Sequence, residues 1–344
     1  MDIRGEIRDA PRALSETLEK GRAEFDALAR RTRWGDGPLY IIGSGSSYPA
    51  VLSGSCAFGL LLGWPAIAFR AANFLAYSAS LIRPRSVVLA VSLAGEADKT
   101  LEAGLQARSR GATLLALTAS ATSPLAESAD GVFLVRPGDQ GRTGLQVELC
   151  LFAATGFLAV VAAHALKRHH HKLDELEREF EKLPAHADWV LTRLPDAARS
   201  LASHLRDAVS LELIGGGLYY PAALQAAQTL DKLTPSHARA QEAVEFGEAF
   251  ESGGGENRPL LFLSGSRCRL KKEIHKSASR WIGTRANLFA VTDVNDRELA
   301  NSASLAVLLP ELDEMTGSVM ALLFVQYLAS QLLRFIKPST NPPK

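Results

Sequence analysis

Cysteine is scarce in this chain: Cys56, Cys150 and Cys268 are odd in number, far apart and without a C-x-x-C pair. That pattern argues against a disulfide framework and a thiolate zinc site, and it fits a reducing compartment. Net charge is scarce as well. The 38 basic residues nearly cancel the 37 acidic ones, so no global field draws the chain to nucleic acid or to an anionic membrane. An anionic ligand has to be held by a local site. The opening Met1-Asp-Ile-Arg-Gly-Glu6 mixes charges, where an export signal has a basic start followed by an apolar stretch. A cytoplasmic location is the expectation.

Long uncharged runs are few. Leu149 to Leu166 runs 18 residues without a charge, the lower limit of a membrane span. It is rich in alanine, carries Thr155, Gly156 and His164, and is echoed by Val319 to Leu333. Both runs therefore read as buried helices, and no membrane partner is expected. With 47% hydrophobic positions over 344 residues, the chain has material for about two ordinary domains.

What the sequence does contain is a copy of itself. Leu39-Tyr-Ile-Ile-Gly-Ser-Gly-Ser-Ser-Tyr-Pro-Ala50 matches Leu211-Glu-Leu-Ile-Gly-Gly-Gly-Leu-Tyr-Tyr-Pro-Ala222, an offset of 172 residues. The apolar run ending at Ser92 and the one ending at Ser264 keep the same offset. A shared register in two places means duplication. Each half continues with strands near Thr113–Leu117 and Val132–Val135, or Leu288–Val291 and Ala306–Leu309, separated by helical segments. Short apolar strands alternating with helices predict a parallel sheet covered on both faces. The fold class is α/β: two tandem αβα sandwiches. The predicted division is residues 1–170 with a leading helical segment, a charged linker at 171–188, and 189–344. Three adjacent histidines, His169 to His171, stand where that linker begins. Consecutive helical residues point in different directions, so no metal is expected there.

Two turns in the first half suit ligand binding, because open parallel sheets bind at the carboxyl ends of their strands. Gly43-Ser-Gly-Ser-Ser47 can offer amides, a helix dipole and the Ser46 and Ser47 hydroxyls to an anion. Ser92-Leu-Ala-Gly-Glu96 is a second such turn. Tight-turn and capping duties would explain either one alone; two at successive strand ends point to a shared crevice. A dinucleotide site is the competing reading. It lacks the third glycine, and Arg70 follows the next strand where NAD would want an acid, although arginine suits NADP.

Taken in order on a duplicated frame, these motifs resemble the sugar isomerase (SIS) superfamily, in particular the isomerase half of glucosamine-6-phosphate synthases. Glu6-Ile-Arg-Asp-Ala-Pro11 is like the family's E-I-x-x-Q-P, Gly43-Ser-Gly-Ser-Ser-Tyr48 like C-G-T-S-Y, and Ser92-Leu-Ala-Gly-Glu-Ala97 like S-Q-S-G-E-T. Tyr220-Pro-x-Ala-Leu224 matches in the second half. The resemblance implies a five-stranded, flavodoxin-like parallel sheet in each half, a homodimer, and a sugar phosphate or related small acid as ligand. It implies no metal and no organic cofactor. Gly45, Ser46, Ser47, Ser92 and Gly95 would form the phosphate cradle, and the activity would be isomerisation, deamination or deglycation of a phosphosugar. The alternative is a non-catalytic phosphosugar sensor.

The departures bear on catalysis. Leu93, Ala94 and Ala97 replace a glutamine, a serine and a threonine that bind phosphate in the family. The family's glutamate base aligns with Lys232, its nearby lysine with Thr229, and the ring-opening histidine with Glu248. Glu242, Glu245 and Glu248 recur every three residues, one side of a helix, and crowded carboxylates can raise one another's pKa into a range useful for acid–base work. Glu245 and Glu248 are therefore the candidate acid–base groups, with an ordinary solvated face as the alternative; His237-Ala238 is like the family's H-A, so His237 is either a sugar contact or a packed histidine at a helix start. The family's closing tail lysine has no assigned equivalent; Lys344 comes too soon after the last helix.

Overall fold

In the computed structural model, which describes residues 2–34, 37–138, 143–168, 171–249, 258–282 and 287–335, the chain divides into Met1–Ala187 and Asp188–Lys344. The first unit contains β1 (Leu39–Gly43), β2 (Ala66–Arg70), β3 (Val87–Val91), β4 (Thr113–Thr118) and β5 (Gly131–Leu134). All are parallel, in the order β2-β1-β3-β4-β5. The second unit contains β6 (Ser210–Gly215), β7 (His237–Glu242), β8 (Leu260–Leu263), β9 (Leu288–Asp293) and β10 (Leu305–Leu309). Its parallel sheet runs β7-β6-β8-β9-β10, the same order. The duplication is thus a duplication of topology.

The strands are apolar along their length because both sheet faces are covered. Side chains alternate across a strand. Accordingly Tyr40, Ile42, Val88, Ala90, Leu114 and Ala116 pack with Ala103 and Ala107 of the helix Asp98–Ser109 on one face. On the other face a β-carbon added at Gly54, in the helix Tyr48–Leu62, would lie 3.3 Å from Ile41 and 3.2 Å from Thr155, in the helix Leu145–Ala165.

The two uncharged runs are core helices of their units, Leu145–Ala165 and Glu314–Leu332; their most apolar stretches are 100% and 94% buried. Burial all round explains why neither shows a polar face. The leading segment folds as Ile3–Arg8, Ala10–Leu18 and Arg22–Arg31. Pro11 sits in the first turn of the second helix, where its missing N–H costs nothing. Buried Glu6 ties this segment to the core: its carboxylate accepts from the amides of Thr143 (2.9 Å) and Gln146 (3.2 Å).

The charged stretch 171–188 is helical over Leu173–Glu181 and again from Leu183. Leu173, Leu176 and Phe180 are buried, and Arg22 pairs with Glu177 and Glu181. Of the three histidines, His169 and His170 lie outside the described residues. His164, Asp174 and Glu177 approach within 4.8 Å of one another. Glu177 is already paired with Arg22, and its other oxygen lies 3.1 Å from His164 Nε2.

Candidate functional site

In the first unit the chain steps from β1 outward to β2 and then returns to the other side of β1 as β3. Such a reversal opens a crevice at the carboxyl ends of the two central strands. Gly43 and Val91 are register partners, so the turns that follow them leave the sheet side by side.

The first turn is shaped by backbone. Ser44 is extended, and Gly45 is left-handed at φ +56°, a conformation that glycine adopts without strain. A short 3-10 turn, Gly45–Ser47, leads into the helix Tyr48–Leu62. The second turn is held by its own residues and by the neighbouring strand. The Ser92 hydroxyl accepts from the Gly95 N–H at 3.1 Å. Ser92 N donates to Leu117 O, Ala119 N to Leu93 O, and Leu125 N to Gly95 O. Gly95 is left-handed at φ +73°, and a β-carbon there would lie 2.0 Å from Ser123 Oγ. Thr100, one turn into the helix Asp98–Ser109, donates to Ser44 Oγ at 3.2 Å and links the two turns.

Between them lies an open cleft of about 360 Å³, lined by residues 44–47 and by Ser92, Leu93, Ala94, Glu96 and Ala97. Ser46, Ser47 and Ser92, singled out from sequence, all line it. Gly45 lines it too, whereas Gly95 stands behind, shaping the turn. Two helices begin at this rim, and their first amides have no intrahelical acceptor, so hydroxyls, amides and two positive dipole ends are presented to one space. Glu96 is the charged side chain of the lining. A cation stands at the next strand tip, where Arg70 lies 4.0 Å from the centre of the Tyr48 ring. Ser44, Thr100 and Glu96 were not among the residues singled out, although all fall in or beside the two motifs. No sequence signal separates a cleft-lining Ser44 from a turn serine.

The three candidates of the second half fall differently. His237 is the exposed first residue of β7, not a helix start. Glu242 ends that strand and caps the next helix, Ala243–Ala249, accepting from Val244 N (2.7 Å) and Glu245 N (3.3 Å). The supposed row of three glutamates on one helix is therefore a cap followed by two helical residues. Glu245 is exposed. Glu248 is exposed beside Glu273, Lys276 and Arg280. The six residues of β7, at about 3.3 Å each, separate His237 from that helix, so the structure does not gather these three into one site within the second unit. Lys232 is exposed, Thr229 is buried with its hydroxyl on Gln225 O, and Asp231 accepts from Ala238 N. Lys344 lies outside the described residues.

The family profile of the SIS domain matches residues 36–165, the segment that carries both turns. That segment is a SIS domain. Over 330 residues, 95% of its length, it is 26% identical to glutamine–fructose-6-phosphate aminotransferase (isomerizing) of Thermococcus kodakarensis. Over 247 residues, 70% of its length, it is 34% identical to the enzyme of the same name from Aeropyrum pernix. It spans 54% and 39% of those two relatives. Its fold matches the C-terminal domain of the glucosamine-fructose-6-phosphate aminotransferase from Francisella tularensis, with TM-score 0.85, 18% identity, and 97% and 96% of the two chains covered. This tandem SIS fold agrees with the duplication read from the sequence.

Proposed function

We propose that the first-unit cleft of this SIS protein binds a sugar phosphate or a closely related small acid, and that the chain acts on it by proton transfer. The reaction class is that of a phosphosugar isomerase or a related deaminase or deglycase. The observation that carries the reading is the meeting of two serine-bearing turns at the switch point of a parallel sheet. Its hydroxyls, amides and helix ends together suit a phosphate dianion. Aldose–ketose interconversion needs a base that moves a proton between C1 and C2. Glu245 and Glu248 are the carboxylates proposed for it, with His237 as a sugar contact. A homodimer in the cytoplasm belongs to the same proposal.

A second reading, a phosphosugar sensor without turnover, has its own support: Lys232 and Glu248 stand at the positions of the family's base and ring opener, and His237 is a strand's length from Glu245. Thermal-shift screening with hexose and hexosamine phosphates, followed by solvent deuterium exchange at C2 of each hit, separates the two. Exchange that Glu245→Gln or Glu248→Gln abolishes supports the enzyme. Stabilisation without exchange selects the sensor, and no stabilisation by any phosphosugar overturns the cleft reading.

A further inference from the structure

The second unit contains the same two turns at the same switch point, between β6 and β8, with Gly215 and Leu263 as register partners. The repeat offset of 172 pairs Gly45 with Gly217, Ser46 with Leu218, and Ala97 with Arg269. The correspondence extends to conformation, since Gly45 has φ +56° and Gly217 φ +57°. In the second unit, however, a carboxylate of the chain itself reaches the two turns. Glu314, the first residue of the helix Glu314–Leu332, is 4% exposed. Its Oε1 accepts from Leu218 N at 2.9 Å and its Oε2 from Arg269 N at 3.1 Å. The Cys268 thiol lies 3.6 Å from Oε1.

These two donors are the repeat counterparts of Ser46 and Ala97, one from each turn lining the open cleft of the first unit. A buried glutamate that merely tied two loops together would have no reason to choose that pair. The approach is also built into the turn: a β-carbon on Gly217 would stand 2.1 Å from Glu314 Oε1. Glycine there serves both the left-handed backbone and the seat of the carboxylate.

We propose that the second unit holds an anion site of the same design as the first-unit cleft, and that its ligand is the Glu314 side chain. Among the described residues the first copy of the repeat is open to an external anion, while the second is filled from within and fixes its two turns. The comparison rests on reading the first-unit cleft as an anion site, whereas the hydrogen bonds of Glu314 and the test below concern the second unit alone, so failure of one is distinguishable from failure of the other.

Chemical rescue tests it on the full chain. Glu314→Ala should melt below wild type, and formate or acetate should restore the melting temperature saturably when compared with chloride at equal ionic strength. Leu323→Ala, a cavity in the same helix at a residue with 0% exposure, should melt lower and show no such rescue. Rescue of both variants alike, or of neither, overturns the proposal. Should Glu314→Ala fail to fold, Glu314→Gln keeps the shape but turns an NH2 toward one of the two amides. Hydrogen exchange in 216–219 or 267–270 should then accelerate roughly tenfold, the loss of one hydrogen bond to a charged acceptor. Unchanged protection in both segments overturns the proposal.

Discussion

Replacing Gly95 by alanine probes the shape of the second turn directly. A β-carbon at this position would lie 2.0 Å from Ser123 Oγ, 2.5 Å from Ser123 Cβ and 3.1 Å from Thr118 Oγ1. The backbone, at φ +73°, adds a left-handed cost of about 1–2 kcal/mol for an L residue. Relieving the steric contact costs about 1–3 kcal/mol more, as in other overpacked interiors. The sum, about 2–5 kcal/mol, corresponds to a melting-temperature drop of roughly 4–20 °C for a unit of this size.

Adding Ser123→Gly removes the atoms that clash. It also removes a helix cap, since Ser123 Oγ accepts from Ala126 N, but glycine at that position costs only a few tenths of a kcal/mol. The double variant should therefore recover about 1–3 kcal/mol, the steric share, while the backbone share persists. Circular-dichroism melts of the wild type and both variants, with phosphosugar titrations alongside, give the answer. The Ser92–Gly95 hydrogen bond shapes the cleft rim, so Gly95→Ala should also weaken binding. A single variant that melts with wild type, or a double variant with no recovery, refutes the reasoning.

Restoring the family's donors is a gain-of-function test: Leu93→Gln, Ala94→Ser and Ala97→Thr should each tighten phosphosugar binding by roughly tenfold, about 1.5 kcal/mol per hydrogen bond to a charged acceptor, as read by isothermal titration. His275 predicts a pH dependence. Burial by itself lowers its pKa, but Asp296 at 2.7 Å and Glu298 at 2.9 Å outweigh that, and the net direction is upward. The folded chain therefore binds this proton more tightly than the unfolded one. The stabilisation is complete below the ordinary histidine value of about 6.5 and is lost as pH rises through the raised value. His275→Gln should flatten that part of the melting-temperature profile; an unchanged profile would show that the ion pairs contribute nothing.

The sheets were legible because their signal is redundant: apolar strands ending in glycine or serine recur at a constant offset, so each half checks the other. The cleft was legible for the same reason, since the backbone turns of Gly43–Ser47 and Ser92–Ala97 are local sequence features. What depended on long-range packing was not legible. The spacing of Glu242, Glu245 and Glu248 fits one helix side, yet Glu242 belongs to an edge strand and caps the helix that follows. His237, one strand length earlier, reads as a helix start when only its neighbours are considered. The charged stretch after His171 hid Leu173, Leu176 and Phe180, which bury one stripe of an otherwise polar helix. Nothing local to Glu314 marks its role; only the fold brings the two distant amides of Leu218 and Arg269 to it.

The central claim is that Ser46, Ser47 and Ser92 face one anionic carbohydrate. Hydrogen-exchange mass spectrometry of the full chain, with and without a stabilising hexose or hexosamine phosphate, tests it most directly. New protection should concentrate in the segments 43–48 and 92–97 and should vanish in Ser46→Ala/Ser92→Ala. Protection that arises elsewhere while both segments stay unchanged would contradict it.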